Sequence, residues 1–69
     1  MSGSNVQGLL DELKASFENR EYEKGERLLQ QAINISREES KEFMRNLLMA
    51  TEDPEKKGRI LLAYYLNFI

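Results

Sequence analysis

The chain of 69 residues is long enough for one small domain, and 41% of its residues are hydrophobic and 32% charged. It contains no cysteine and no histidine, which excludes disulfide bonds, thiolate metal sites and the commonest general base of enzymes. The formal net charge of -2 is unfavourable for binding nucleic acid, whose phosphates attract basic surfaces. We therefore expect no enzymatic activity, no cofactor, no metal and no nucleic-acid partner.

Apolar residues recur every three to four positions along the chain, which is the period of an amphipathic α-helix. Short polar breaks divide this pattern into four segments, which predict helices over residues 5–18, 21–34, 37–51 and 54–68. Because the connections are short, consecutive helices are expected to be antiparallel neighbours. We predict an all-α fold, either a small bundle or a two-hairpin solenoid of about four short helices.

Three of the predicted helices begin at residues that suit a helix N-cap. Ser4 can cap the first helix, and Ser36 with Glu39 forms the clearest capping box in the chain. Asp53 is a good N-cap for the last helix, and Pro54 suits its first position because a proline there loses no hydrogen bond.

No secretory signal and no membrane span is recognisable in the sequence. The longest apolar run, residues 60–66, has seven residues, whereas a membrane span needs about 20. We expect a cytoplasmic protein with no membrane partner. Residues 1–3 are expected to be a flexible tail, and residues 4–69 a single helical domain that is either complete or part of a longer protein.

Residues 17–33 carry Tyr22, Gly25, Leu29 and Ala32 at spacings that resemble the middle of a tetratricopeptide repeat. The resemblance implies a helical hairpin in which the two small residues let the helices pack closely. The first predicted helix departs from the family pattern, and the last two helices do not repeat it after about 34 residues. The resemblance therefore implies one tetratricopeptide-like hairpin rather than an array.

The interior residues of the predicted helices include three glycines and two methionines that need an explanation. Gly8, Gly25 and Gly58 are expected either to allow close approach of a neighbouring helix or to be merely tolerated, with a functional hinge as the less favoured alternative. Met44 and Met49 are expected to fill gaps in the core.

The charged side chains predict a solvated surface rather than a reactive site. Acidic residues concentrate in the first turns of helices, where they offset the positive end of the helix dipole. The nearest approach to a basic patch is Lys56, Lys57 and Arg59. Acidic residues nearly cancel the basic residues of the third helix, whereas a DNA-reading helix would be basic.

The last predicted helix is apolar on nearly every face. One stripe holds Ile60, Leu61, Tyr64, Tyr65 and Phe68, and a second stripe beside it holds Leu62, Leu66 and Ile69. Such a helix is either central and wrapped by the other three, or it presents a surface to another molecule. We predict a contact surface with aromatic anchors at Tyr64, Tyr65 and Phe68. Its partner-binding residues are expected to be Leu61, Leu62, Tyr64, Tyr65, Leu66, Phe68 and Ile69.

These observations predict a non-enzymatic protein–protein interaction or assembly module that contacts its partner through the apolar C-terminal helix. The partner is expected to be another protein or a second copy of the chain, with a homo-oligomer favoured. The alternative is a small regulatory or chaperone-type protein that sequesters a helix of another protein. A DNA-binding helical domain is a third and less favoured hypothesis.

Overall fold

The computed structural model describes residues 5–69, and this range contains four α-helices and no β-strand. The helices are α1 Asn5–Glu18, α2 Tyr22–Ile35, α3 Arg37–Ala50 and α4 Pro54–Phe68. The predicted all-α class is confirmed, and every helix boundary lies within one residue of its predicted position. The predicted flexible tail, residues 1–3, and the predicted cap Ser4 lie outside the described residues.

A single residue, Ser36, separates α2 from α3 and takes part in both helix ends. Its backbone amide donates to the carbonyl of Ala32 at 2.8 Å and so closes α2. Its hydroxyl accepts from the backbone amide of Glu39 at 3.3 Å and so caps α3. The predicted Ser36 cap is confirmed, but the Ser36 amide is already engaged and does not need the Glu39 carboxylate that a complete capping box would supply.

The beginnings of α4 and α2 are stabilised to different extents. Asp53 caps α4 by accepting from the backbone amide of Lys56 at 3.0 Å, and Pro54 occupies the first helical position, which confirms both predictions. The N-cap of α2, Glu21, makes no side-chain capping bond. The residue before it, Arg20, has a φ of 66°, in the left-handed region that L-residues other than glycine rarely adopt.

One hydrophobic core lies between the four helices. Helix α1 contacts each of the other three, and its contact with α2 is the most extensive in the molecule. The small all-α bundle is therefore built on the α1–α2 hairpin, with α3 and α4 completing the core. The buried apolar residues are Val6, Leu10, Leu13, Phe17, Leu28, Leu29, Ala32, Met44, Leu47, Ile60, Ala63 and Phe68.

The three glycines of the described helices have different surroundings. A Cβ at Gly25 would lie 2.7 Å from Cε2 of Phe17, so this glycine allows α2 to approach α1 closely. A Cβ at Gly8 or Gly58 would meet no atom within 4 Å, so neither position is required for helix packing within the chain.

Candidate functional site: an exposed apolar face of the last helix

Helix α4 contributes only one side to the core. Ile60 and Ala63 are each 1% exposed, and Phe68 is also buried, while Tyr64 is half-buried against the same cluster. The small side chain of Ala63 allows this side to lie close to its neighbours. The helix is therefore peripheral, and the alternative of a central helix wrapped by the other three is wrong.

Polar contacts at the first turn of α4 hold it to the α1–α2 turn. The hydroxyl of Tyr22 donates to the Glu55 carboxylate at 3.1 Å, and the Arg20 guanidinium lies 3.5 Å from the same carboxylate. The guanidinium of Arg59 stacks over the Tyr22 ring, 4.9 Å from its centroid. Partial burial and the hydrogen bond to Glu55 raise the pKa of the Tyr22 phenol above its ordinary value.

A second set of contacts holds the last turn of α4. Arg37, the first residue of α3, donates to the backbone carbonyl of Asn67 at 3.4 Å and lies 5.3 Å from the centroid of the Phe68 ring. The side chain of Asn67 also accepts a hydrogen bond from Gln30 of α2. Because α4 is attached at both ends, the orientation of its outer side is fixed by the fold.

The outer side of α4 is a continuous apolar surface, which we call the α4 face. It consists of five residues of the helix and the C-cap residue Ile69, whose amide donates to the Tyr65 carbonyl. They follow one another at steps of three, one, three, one and three positions, which places them along one side of the helix. Five of them line a single shallow groove: Gly58, Leu61, Leu62, Tyr65 and Leu66. The sixth, Ile69, continues the stripe one turn beyond Tyr65 and Leu66. The exposed fractions of the large side chains are Leu61 43%, Leu62 49%, Tyr65 58%, Leu66 75% and Ile69 79%.

The predicted contact residues divide between this face and the core. The structure leaves Leu61, Leu62, Tyr65, Leu66 and Ile69 exposed together. It buries Phe68, which is 8% exposed, and places Tyr64 half inside, so the expectation that these two aromatics serve as anchors is corrected. Their rings pack against each other with centroids 5.3 Å apart.

Sequence reasoning missed Gly58 as part of the face. This glycine lies three residues before Leu61 and seven before Tyr65, a helical spacing that could have indicated it. A stripe of large apolar side chains is easily recognised in a sequence, whereas glycine has no side chain and adds only backbone surface to the face. The structure places Gly58 at the N-terminal end of the groove.

Among residues 5–69, two other large apolar residues are exposed, away from α4. Ile35 ends α2 and is 48% exposed, and Met49 lies in the last turn of α3 and is 72% exposed. Met49 was expected in the core with Met44; Met44 is fully buried, but the expectation for Met49 is wrong. Single exposed apolar side chains of this kind are common on protein surfaces.

The remaining surface of residues 5–69 brings together few groups that could bind a ligand or a metal ion. A groove of about 310 Å³ between α1, α3 and α4 has an apolar floor that includes Phe17 and Ile60, and a rim of mixed charge. Within the described part of the chain, no three acidic side chains lie close enough together to hold a metal ion. Among the four helices, none combines the length and the apolar character that crossing a membrane requires.

In comparisons with known proteins, no family model, no curated protein and no solved structure matches the chain. The resemblance of residues 17–33 to a tetratricopeptide-like hairpin therefore stays a prediction.

Proposed function

We propose that this chain is a non-enzymatic protein-interaction module and that the α4 face is its contact surface. The observation that carries the proposal is the continuity of the exposed stripe. Leu61, Leu62, Tyr65, Leu66 and Ile69 lie side by side on one helix and are each at least 43% exposed.

The energetic argument rests on the small size of the domain. Fully burying one large apolar side chain stabilises a protein by about 1.5–3 kcal/mol. The whole free energy of unfolding of a domain is only about 5–15 kcal/mol. Five large side chains left partly in water therefore forgo an amount that is comparable with the stability of the domain. Covering the face with another protein surface would recover much of it.

The arrangement of the face suits packing against another helix. Residues at i, i+3, i+4 and i+7 are the anchors that an amphipathic helix uses in such contacts, and the face repeats this spacing from Gly58 to Ile69. Tyr65 lies near the middle of the stripe and is its only aromatic residue. We propose Tyr65 as the principal anchor, because aromatic residues dominate the binding energy of many protein interfaces.

The proposal is tested by placing a charge on the face. Leu66→Glu puts a carboxylate where the side chain is 75% exposed, and Met49→Glu is a matched control at 72% exposure in the last turn of α3. Both changes leave the core intact, so both variants should retain the helical circular dichroism of the unaltered protein. A charge within an apolar interface loses its hydration, so only Leu66→Glu should disrupt association.

Two measurements on the unaltered protein and both variants decide the outcome. Light scattering from low micromolar to millimolar concentration reports self-association, and the fluorescence of a hydrophobic dye reports an uncovered apolar surface. The unaltered protein should either associate or bind dye, and Leu66→Glu but not Met49→Glu should reduce that signal. The proposal is contradicted if the unaltered protein stays monomeric at millimolar concentration and binds no more dye than Leu66→Glu.

A further inference from the structure

We infer that the occupant of the α4 face is the α4 helix of a second copy of this chain, packed antiparallel about a two-fold axis that passes between residues 63 and 64. The inference rests on the proposed function of the face as a contact surface, and it adds the identity, direction and register of the partner. A two-fold contact of this kind uses the same surface on both copies and closes after two chains.

The register follows from the spacing of the face. The steps of three, one, three, one and three positions read the same in both directions, so the stripe is symmetric about its midpoint. In an antiparallel pair centred there, Gly58 is level with Ile69 of the second copy. In the same way Leu61 is level with Leu66, and Leu62 with Tyr65. A shift of one helical turn would leave one end of each face uncovered.

In this register, residues that are small or less exposed on one copy are level with residues that are more exposed on the other. Gly58 has no side chain, and a Cβ there would meet no atom within 4 Å, so the position offers space to Ile69, which is 79% exposed. Leu61, the least exposed large residue of the face, is level with Leu66 at 75%. At these two pairs of positions a smaller or less exposed residue faces a more exposed one, as in interdigitating helices, while Leu62 and Tyr65, at 49% and 58%, are similarly exposed.

The helix dipole of α4 favours the antiparallel direction. Glu52, Asp53 and Glu55 balance the charges of Lys56, Lys57 and Arg59 at its N-terminal end, and no charged side chain follows Ile60. A parallel pair would place the two positive ends of the helix dipoles side by side. An antiparallel pair places each N-terminal end beside the C-terminal end of the other helix, where the backbone carbonyls carry partial negative charge.

The area of the face matches the lower limit for a specific dimer. The exposed fractions of its five large side chains amount to about three whole side chains. At roughly 150–250 Å² each, the range of aromatic side chains and an upper bound for leucine and isoleucine, they supply up to about 450–750 Å² per copy, or about 900–1,500 Å² in a dimer. Specific interfaces bury about 1,000 Å² or more in total. We therefore expect a dimer, which doubles the 8.1 kDa mass of the chain.

Disulfide trapping tests the direction and register, because the chain has no native cysteine. The variants Gly58→Cys and Ile69→Cys are mixed in equal amounts and oxidised, and intact mass spectrometry distinguishes mixed dimers from dimers of one variant. In the antiparallel register the two copies of position 58 lie about 16 Å apart along the helix. Two cysteines form a disulfide only when their Cα atoms are within about 7 Å, so Gly58→Cys should not link to itself. Mixed dimers should outnumber the others several-fold. Met49→Cys, mixed with either variant, should give no such preference.

The possible results separate this inference from the proposed function. Dimers of Gly58→Cys alone, in excess over mixed dimers, would contradict the antiparallel direction while keeping the face as an interface. An unaltered protein that is monomeric at millimolar concentration but binds dye through the α4 face would overturn the second copy as occupant. That result would keep the proposed function and favour a partner that supplies a different helix. A monomer without dye binding would contradict both.

Discussion

The ring of Phe17 occupies the space that a side chain at Gly25 would need. A Cβ at position 25 would lie 2.7 Å from Cε2 and 2.9 Å from Cδ2 of this ring, closer than unstrained carbon atoms approach. Phe17 is 1% exposed, so the ring has little room to move away. This contact sets the distance between α1 and α2, the pair of helices on which the rest of the bundle is built.

Gly25→Ala should therefore lower the free energy of unfolding by about 1–3 kcal/mol, the usual cost of adding a group to a filled core. Gly8→Ala is the matched control, because it lies in a helix with open space around it. It should raise stability by about 0.5–1 kcal/mol through the better helix propensity of alanine. Urea denaturation of both variants measures the difference. Equal stability of the two variants would mean that the Phe17 ring moves aside readily.

Ser36→Ala should destabilise the protein by about 0.5–2 kcal/mol, because it removes the acceptor for the Glu39 amide at the start of α3. Ser36→Asp keeps an acceptor at the same position and should retain most of the stability. Thermal denaturation followed by circular dichroism measures both. If Ser36→Ala and the unaltered protein unfold at the same temperature, the 3.3 Å bond contributes nothing to stability.

Arg20→Gly should be more stable than Arg20→Ala by about 1–2 kcal/mol. Both variants lose the ion pair with Glu55, whose partners are more than half exposed and which contributes little. They differ in the strain of a Cβ at the φ of 66°, which glycine avoids. Because both variants lack the ion pair, its loss cancels when their free energies of unfolding are compared. A more stable Arg20→Ala would show that this turn changes its backbone when the side chain is shortened.

Tyr22 should make the stability of the protein fall at alkaline pH. Partial burial and the Glu55 carboxylate raise the pKa of the Tyr22 phenol above 10.0 in the folded chain, so the unfolded chain loses this proton first. The contribution of Tyr22 to the free energy of unfolding is therefore complete below pH 10.0, and it is lost as the pH rises through the higher pKa of the folded chain.

Tyr22→Phe is the control for this pH dependence, since it keeps the ring but cannot ionise. Between about pH 9 and pH 11 the unaltered protein should lose more stability than Tyr22→Phe, as measured by urea denaturation at each pH. The two proteins differ only at this position, so other effects of pH cancel in the comparison. Parallel curves would mean that neither burial nor the hydrogen bond to Glu55 raises the pKa of Tyr22 in the folded protein.

The positions of the four helices could be predicted from the sequence because their causes are local. Apolar spacing shows which residues can form a stripe, and Ser36 and Asp53 mark helix starts through bonds to amides three positions away. Pro54 marks a helix start because it has no backbone N–H to leave unpaired there. The excess of apolar surface on the last helix was also visible, since it follows from composition and periodicity alone.

Only the tertiary structure decided which side of α4 faces inward. The helix has two neighbouring apolar stripes, and either could have packed against the core. The structure buries the side that carries Ile60, Ala63 and Phe68, and Arg37 stacks on the Phe68 ring from 31 positions away in the chain. That choice leaves Leu61 and Tyr65 in solvent. Burial depends on neighbours that are distant in sequence, and periodicity contains no information about them.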